Sequence, residues 1–300
     1  MIGRSILICG ASGQVGQTLT ERLRQTGRDV VAFDRRALDI ADSARVNQVL
    51  STSRPSVVVN AAAYTAVDQA ESEPEVAHAV NAEAPRQLAL ACVNVDAALL
   101  SYSTEYVFDG TKAAPYTESD PVAPLNVYGR SKVLGEDGIR ASLERHVILR
   151  TSWVFAPGRS NFVTTILRLG LERGTLRVTD EEFGCPTPAG DIAEVSVALI
   201  EAMEKNRDMP WGTYHFCGAG PVSRYDFAVA IVREAAATTG LTIDVVPIKS
   251  VEYPTPAKRP LNAVLDCGKI ARVFGRTQPD WRDPLAQTVR EFHCNRMVGR

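Results

Sequence analysis

Tyr128 and Lys132 stand four apart in the stretch NVYGRSK at 126–132, a spacing that sets a phenol and an ammonium on one face of a helix. A phenol placed beside an ammonium can hand a proton to a developing alkoxide. Free tyrosine has a pKa of ~10, and a neighbouring cation that lowers it ~2 to 3 units supplies roughly 3 to 4 kcal/mol. Thr104 lies 24 residues before Tyr128. Its hydroxyl offers a third part, a donor for a carbonyl oxygen at the point where negative charge develops. The three residues together suit the reduction of a ketone, in which carbon takes a hydride and oxygen a proton. Positioned acid–base help of this kind contributes typically about 10²- to 10⁴-fold. The same Tyr–Lys spacing also occurs on solvated helix faces, so the surrounding elements decide between the two readings.

Those elements read as strand and helix in alternation. The apolar runs SILIC (5–9), DVVAF (29–33), SVVVNAAA (56–63), DAALLSYST (96–104) and HVILRTSWVF (146–155) predict strands. Helical periodicity covers 14–25 and 44–50, the latter opened by Asp42 or Ser43 as a cap, and then 73–80 and 83–93. Continuous apolar strands separated by amphipathic helices predict an α/β fold, a doubly wound parallel sheet covered on both faces. Beyond about residue 152 prolines gather at 186, 188, 210, 221, 247, 254, 256 and 260. The expected division is a nucleotide-binding part over 1–151, to which the chain returns around 188–217, and a smaller α/β substrate-binding part over the rest of 152–300.

A glycine turn, GASGQVG, follows the first strand and opens the first helix. Gly10, Gly13 and Gly16 are spaced three and three. Such a turn lets backbone approach a pyrophosphate and aims a helix N-terminus at its charge. Asp34, at the end of the second strand, stands where an acid would bind an adenosine ribose, whereas Arg35 and Arg36 after it would suit a 2′-phosphate. The cofactor is therefore NADPH or NADH, with the preference open. Asn60, Ala61, Ala62 and Ala63 close the third strand with small side chains, which suit either a flat cofactor or tight helix–sheet packing.

The bulk composition excludes several classes. Thirty-three basic against 35 acidic residues give a net charge of -2, so no global field recruits nucleic acid or anionic lipid. No apolar run reaches the ~20 residues that span a bilayer, and the first residues show no signal-peptide pattern. Six scattered cysteines without a C-x-x-C pair are expected to be reduced and mostly buried, neither a disulfide frame nor a zinc site. A cytoplasmic protein is expected.

The glycine turn, NAAAYTAVDQAESEP at 60–74, STEYVFDG at 103–110 and YGRSK together resemble the extended short-chain dehydrogenase/reductase superfamily. More narrowly, RTSWVF at 150–155, FGCPTPAGDIA at 183–193, GTYHFCGAG at 212–220 and KRPLNAVLD at 258–266 resemble the dTDP-4-dehydrorhamnose reductase family, along nearly the whole chain. The resemblance implies NAD(P)H-dependent reduction of the C4 ketone of a dTDP-4-keto-6-deoxy sugar. It implies Tyr128 as proton donor, Lys132 as its tuner and ribose ligand, and Thr104 as the carbonyl partner. Gly10, Ser12, Gly13, Gln14, Val15 and Gly16 would surround the pyrophosphate, and Asp34 or Arg35 the adenosine ribose. Asp39 and Ile40 would meet the adenine, and Ala62, Ala63, Tyr64 and Thr65 the nicotinamide side. Val67, Glu105, Tyr106 and Trp153 would contact the sugar, Trp153 being otherwise a core aromatic at a strand end. Arg259 is the candidate for the sugar-nucleotide diphosphate, or else an ordinary surface arginine.

Departures from the family's pattern qualify this. Glu105 replaces the usual Asp, a shift of one methylene. Arg130 inside Y-x-x-x-K faces away, and Arg224, where relatives often carry Trp, is expected to affect packing only. Some relatives form a dimer bridged by Mg2+ through acids. Here Thr18 occupies one acid's place, with Asp191 and Glu291 near the other two, which argues against a metal bridge and leaves monomer or homodimer open. Rival readings are a nucleotide-sugar epimerase or dehydratase of the same superfamily, and a non-catalytic subunit like the regulatory subunit of methionine adenosyltransferase.

Overall fold

The computed structural model describes residues 5–298, with side chains to residue 295. Its centre is a six-stranded sheet of β1 (Ile6–Cys9), β2 (Val30–Phe33), β3 (Val57–Asn60), β4 (Ala98–Thr104), β5 (His146–Thr151) and an edge strand, Gly212–His215. Every pairing in it is parallel. From one edge the order is Gly212–His215, β5, β4, β3, β1, β2. Succession reverses between β1 and β3, and the crevice at the carboxyl ends of strands at such a reversal is where open α/β sheets bind ligands.

The apolar runs are continuous because both faces are covered. Ile6, Ile8, Val57, Val59, Leu100, Val147 and Leu149 point into one core, with Leu19 and Leu23 of α1 (Gln14–Gln25) and Ile192 and Leu199 of the helix Ala189–Lys205. Leu7, Val58, Leu99 and Ile148 point the other way, against Val46 and Leu50 of α2 (Ser43–Ser53), Leu88 of Ala84–Val95 and Ile139 of Val127–Ser142. Alternation along a strand sends successive side chains to opposite faces, so each strand needs apolar residues at every position. Asp42 caps α2, its carboxylate accepting from the Arg45 N–H.

Two expectations need correction. The helices over 73–80 and 83–93 are one run, Pro74–His78 and Ala84–Val95 joined by a π turn at Ala79–Glu83. The extra residue turns Asn81 inward, where it accepts from Tyr64 N–H and donates to Tyr64 O and Ser131 Oγ. The run 146–155 is not one strand. It breaks at Ser152–Trp153, where Trp153 takes a φ of 43°, and Val154–Phe155 pairs instead with Thr187–Pro188.

Past the break, helices Phe162–Arg173, Arg224–Thr239 and Arg282–Val298 pack around Phe227, Ile166, Leu167, Trp281 and Val289 as a third core. A parallel pair, Thr175–Thr179 with Asp244–Ile248, lies beside them. All six cysteines are free thiols, five of them buried. No helix among the described residues is long and apolar enough to cross a membrane.

Candidate active site

β4 ends in Thr104, and the chain turns at once into a short 3-10 turn, Glu105–Val107. Tyr128 and Lys132 project from the first turns of the helix Val127–Ser142. That helix begins where it does because Asn126 caps it, accepting from the Gly129 N–H at 2.8 Å, and because Glu71 accepts from the Val127 N–H at 2.7 Å. Gly129 lets the helix close on the Tyr106 backbone, since a side chain there would collide with the Tyr106 carbonyl. The two phenol rings meet edge to face, with centroids 5.7 Å apart.

Thr104, Tyr128 and Lys132 are thus brought together, and all three are buried. Burial raises the Tyr128 phenol above its ordinary value; the charge of Glu105 adds to this, and a hydrogen bond with Thr104 opposes it. Burial also lowers Lys132 to about 8, against the pull of Glu136. The Lys132 ammonium donates to the Tyr102 carbonyl at 2.8 Å. The expectation that the lysine lowers the phenol is therefore not met in the free chain, where loss of water dominates both groups. A neutral phenol is nonetheless the form that can give up a proton.

At the strand reversal, Gly10 takes a φ of 79°, and a Cβ there would lie 2.5 Å from the Ala62 nitrogen. Only glycine permits that approach of the β1 turn to the end of β3. Gly16 is equally tight, against the Gly10 carbonyl, whereas Gly13 and Ser12 face outward. α1 starts at Gln14 with no side-chain cap, which leaves its first N–H groups and their partial positive charge for an anion. Val15 and Gln14 are half-buried in this first turn. Such a cradle fits a dinucleotide pyrophosphate.

Asp34 accepts from the Ala37 N–H at 2.9 Å, and exposed Arg35 lies 3.5 Å from Asp39. Ile40 is packed in the second core, so it offers an adenine its backbone rather than an open face. Ala63 and Thr65 are exposed, Ala62 is half-buried, and the Tyr64 hydroxyl donates to Glu73 at 2.7 Å. Val67 packs with Tyr106 and Tyr128.

Trp153 lies against Gly184, where any side chain would run into the indole. Its other neighbour is Arg224, whose guanidinium carbon sits 3.6 Å from the ring centroid. Arg224 is also close enough to Glu105 and Tyr106 to favour their charged forms, so it reaches the site, contrary to a role in packing alone. Arg259 is held by Asp68 through two bonds of 2.8 and 3.0 Å, and by Thr255 and the Ala257 carbonyl. That fork is occupied in the free chain.

Some neighbours escaped the sequence reading. Glu136, one turn beyond Lys132, bonds Arg150 at 2.9 and 2.6 Å and Arg140 at 2.6 Å, with Arg150 equally buried. The i,i+4 spacing from Lys132 to Glu136 was the available signal. Arg150 in turn faces His215, which burial pushes down to about 3 and so keeps neutral. Thr18, Asp191 and Glu291 do line one cleft, of about 420 Å³. Among the described residues no group of three or more His, Cys, Asp or Glu is placed to hold a metal ion.

Comparison with known proteins agrees with this geometry. The model of the RmlD substrate binding domain matches residues 4–294. A dTDP-4-dehydrorhamnose reductase of Aggregatibacter actinomycetemcomitans is 43% identical over 285 residues, 93% of this chain and 96% of that protein. The crystal structure of a dTDP-4-dehydrorhamnose reductase of Clostridium acetobutylicum superposes with a TM-score of 0.89 at 36% identity, covering 95% of this chain and 98% of that one. The Bacillus anthracis reductase, solved in complex with NADP, gives 0.88 at 34% identity, with the same 95% and 98% coverage. By full-length match, by identity and by fold, the chain belongs to the RmlD family, that of the dTDP-4-dehydrorhamnose reductases.

Proposed function

We propose that the protein is an NAD(P)H-dependent oxidoreductase that reduces the C4 ketone of dTDP-4-dehydro-L-rhamnose to give dTDP-L-rhamnose. The observation that carries the reading is the convergence of Thr104, Tyr128 and Lys132 beside the strand reversal, in a chain of this family. When bound, the cofactor supplies the hydride. Gly10, Gly13 and the uncapped first turn of α1 bind its pyrophosphate, and Lys132, aimed by the Tyr102 carbonyl, holds the ribose beside Tyr128. The Tyr128 phenol gives its proton to the substrate oxygen, and Thr104 polarises the same oxygen.

Residues 1–151 together with 188–217 serve the cofactor, and most of the remaining second half serves the sugar. Val67, Tyr106 and Trp153 form the walls of the sugar site. The protein works free of membrane and nucleic acid, in the cytoplasm, as monomer or homodimer.

The test is the absorbance of reduced nicotinamide during incubation with NADPH, then NADH, and dTDP-4-dehydro-L-rhamnose made in situ. The expected result is stoichiometric consumption with dTDP-L-rhamnose as product. Binding of cofactor without net consumption would overturn the reading in favour of an enzyme that returns its hydride or a non-catalytic subunit.

A further inference from the structure

Thr104 has one hydrogen to give, and in the free chain the Glu105 carboxyl and the Tyr128 phenol oxygen both lie within its reach. Its Oγ1 donates to Glu105 Oε2 at 2.9 Å and accepts from the Tyr106 N–H at 3.2 Å. A hydroxyl carries one donor and two acceptor sites. With Glu105 ionised, the threonine has no hydrogen left for a ketone oxygen. A buried carboxylate would then also face the place where an alkoxide forms. With Glu105 protonated the count closes. The acid O–H and the Tyr106 N–H fill the two acceptor sites, and the threonine hydrogen, no longer held by a carboxylate, turns to the Tyr128 side of the site, where the substrate oxygen takes it when the ketone binds.

Resting on the reductase reading above, we propose that Glu105 is a positioning residue that acts in its acid form, donating to Thr104 and so turning the threonine hydroxyl towards the ketone. Its surroundings suit that state. Glu105 is 3% exposed and forms no ion pair with any described basic side chain. Its own turn presents Thr104, the Tyr106 phenol and backbone N–H groups, and the helix Val127–Ser142 presents Tyr128. The Trp153 N–H and, from the helix Arg224–Thr239, the Arg224 guanidinium favour the carboxylate. Farther out, Glu182 and Arg259 act on Tyr106. Burial outweighs the groups that favour charge and pushes Glu105 up to about 7. A sugar bound over it removes more water and moves it the same way.

The test compares kcat/KM across pH 5.5 to 9 for the wild type and Glu105→Gln, whose amide is neutral throughout. Activity in the wild type should fall as pH rises past about 7, when the acid is lost. In Glu105→Gln that fall should move to about 8, where Lys132 loses its charge. The same midpoint in both proteins would overturn the proposal. Infrared difference spectra of the wild type against Glu105→Gln, at pH 6, supply an independent arm. A protonated-carboxyl C=O stretch assigned to Glu105 supports the idea, and a carboxylate band alone sinks it. If the wild type consumes no cofactor at any pH, the reductase reading falls, while the infrared arm still decides the state of Glu105.

Discussion

The Lys132 ammonium reaches across from its helix to the backbone carbonyl of Tyr102, 2.8 Å away on β4. A sheet carbonyl is a fixed acceptor, so the lysine is aimed by the most rigid part of the molecule. Nζ carries three hydrogens, and two remain for a ligand. Among the described residues no carboxylate binds it directly, since Glu136 is taken up by Arg150 and Arg140.

Tyr128→Phe should lower turnover by about 10²-fold or more, the usual scale for loss of a positioned proton donor. Cofactor affinity, measured by fluorescence titration, should stay close to that of the wild type, because the ring still fills its place beside Tyr106 and Val67. Normal turnover would remove the phenol from the mechanism.

Lys132→Ala should weaken both cofactor binding and rate. Burial holds this amine down at about 8, so it is charged below that pH and neutral above it. Cofactor affinity of the free enzyme should therefore fall as pH rises through about 8, and the variant should lack that dependence. Titrations at pH 6.5 and 9 would check it.

Glu136→Ala should destabilise the fold by about 3–5 kcal/mol, the scale for removing one partner of a buried pair. Burial pushes the Glu136 carboxyl up, but bonds from Arg150 outweigh it and hold the group below its ordinary 4.5. The stabilisation is then fully present above that value and is lost as pH falls towards the folded-state pKa. Denaturant midpoints of wild type and variant should lie far apart at pH 7 and draw together in acid.

Gly184→Ala would place a methyl group inside the Trp153 indole. The ring must shift, and with it the wall assigned to the sugar. Substrate KM should rise about tenfold or more, the effect of ~1.4 kcal/mol, with cofactor affinity unchanged. An unaltered KM would show that the indole does not touch the sugar.

Much of this was legible in the sequence, for a physical reason. Leu7 and Ile8 face opposite cores, so β1 had to read as an unbroken apolar run. Tyr128 and Lys132 share a helix face, where spacing alone is informative. Local pattern could not show the break at Trp153, because a left-handed backbone at a non-glycine residue is imposed by its neighbours rather than preferred by the residue. Nor could it show Arg259 claimed by Asp68, or Arg224 stacked on Trp153. Asp68 and Arg259 are nearly two hundred positions apart, and only the folded chain makes them neighbours.

The edge strand Gly212–His215 and the helix Ala189–Lys205 come from the second half of the chain, yet one completes the sheet beside β5 and the other covers the face formed by Ile6, Ile8 and Val147. A nascent polypeptide emerging from the ribosome covers that face only in part with its first 151 residues, through Leu19 and Leu23 of α1. Until about residue 215 has left the exit tunnel, residues 1–151 carry a partly uncovered apolar surface and an open strand edge at β5. A gene split between the halves would part the sheet from the strand Gly212–His215 and the helix Ala189–Lys205 that complete it.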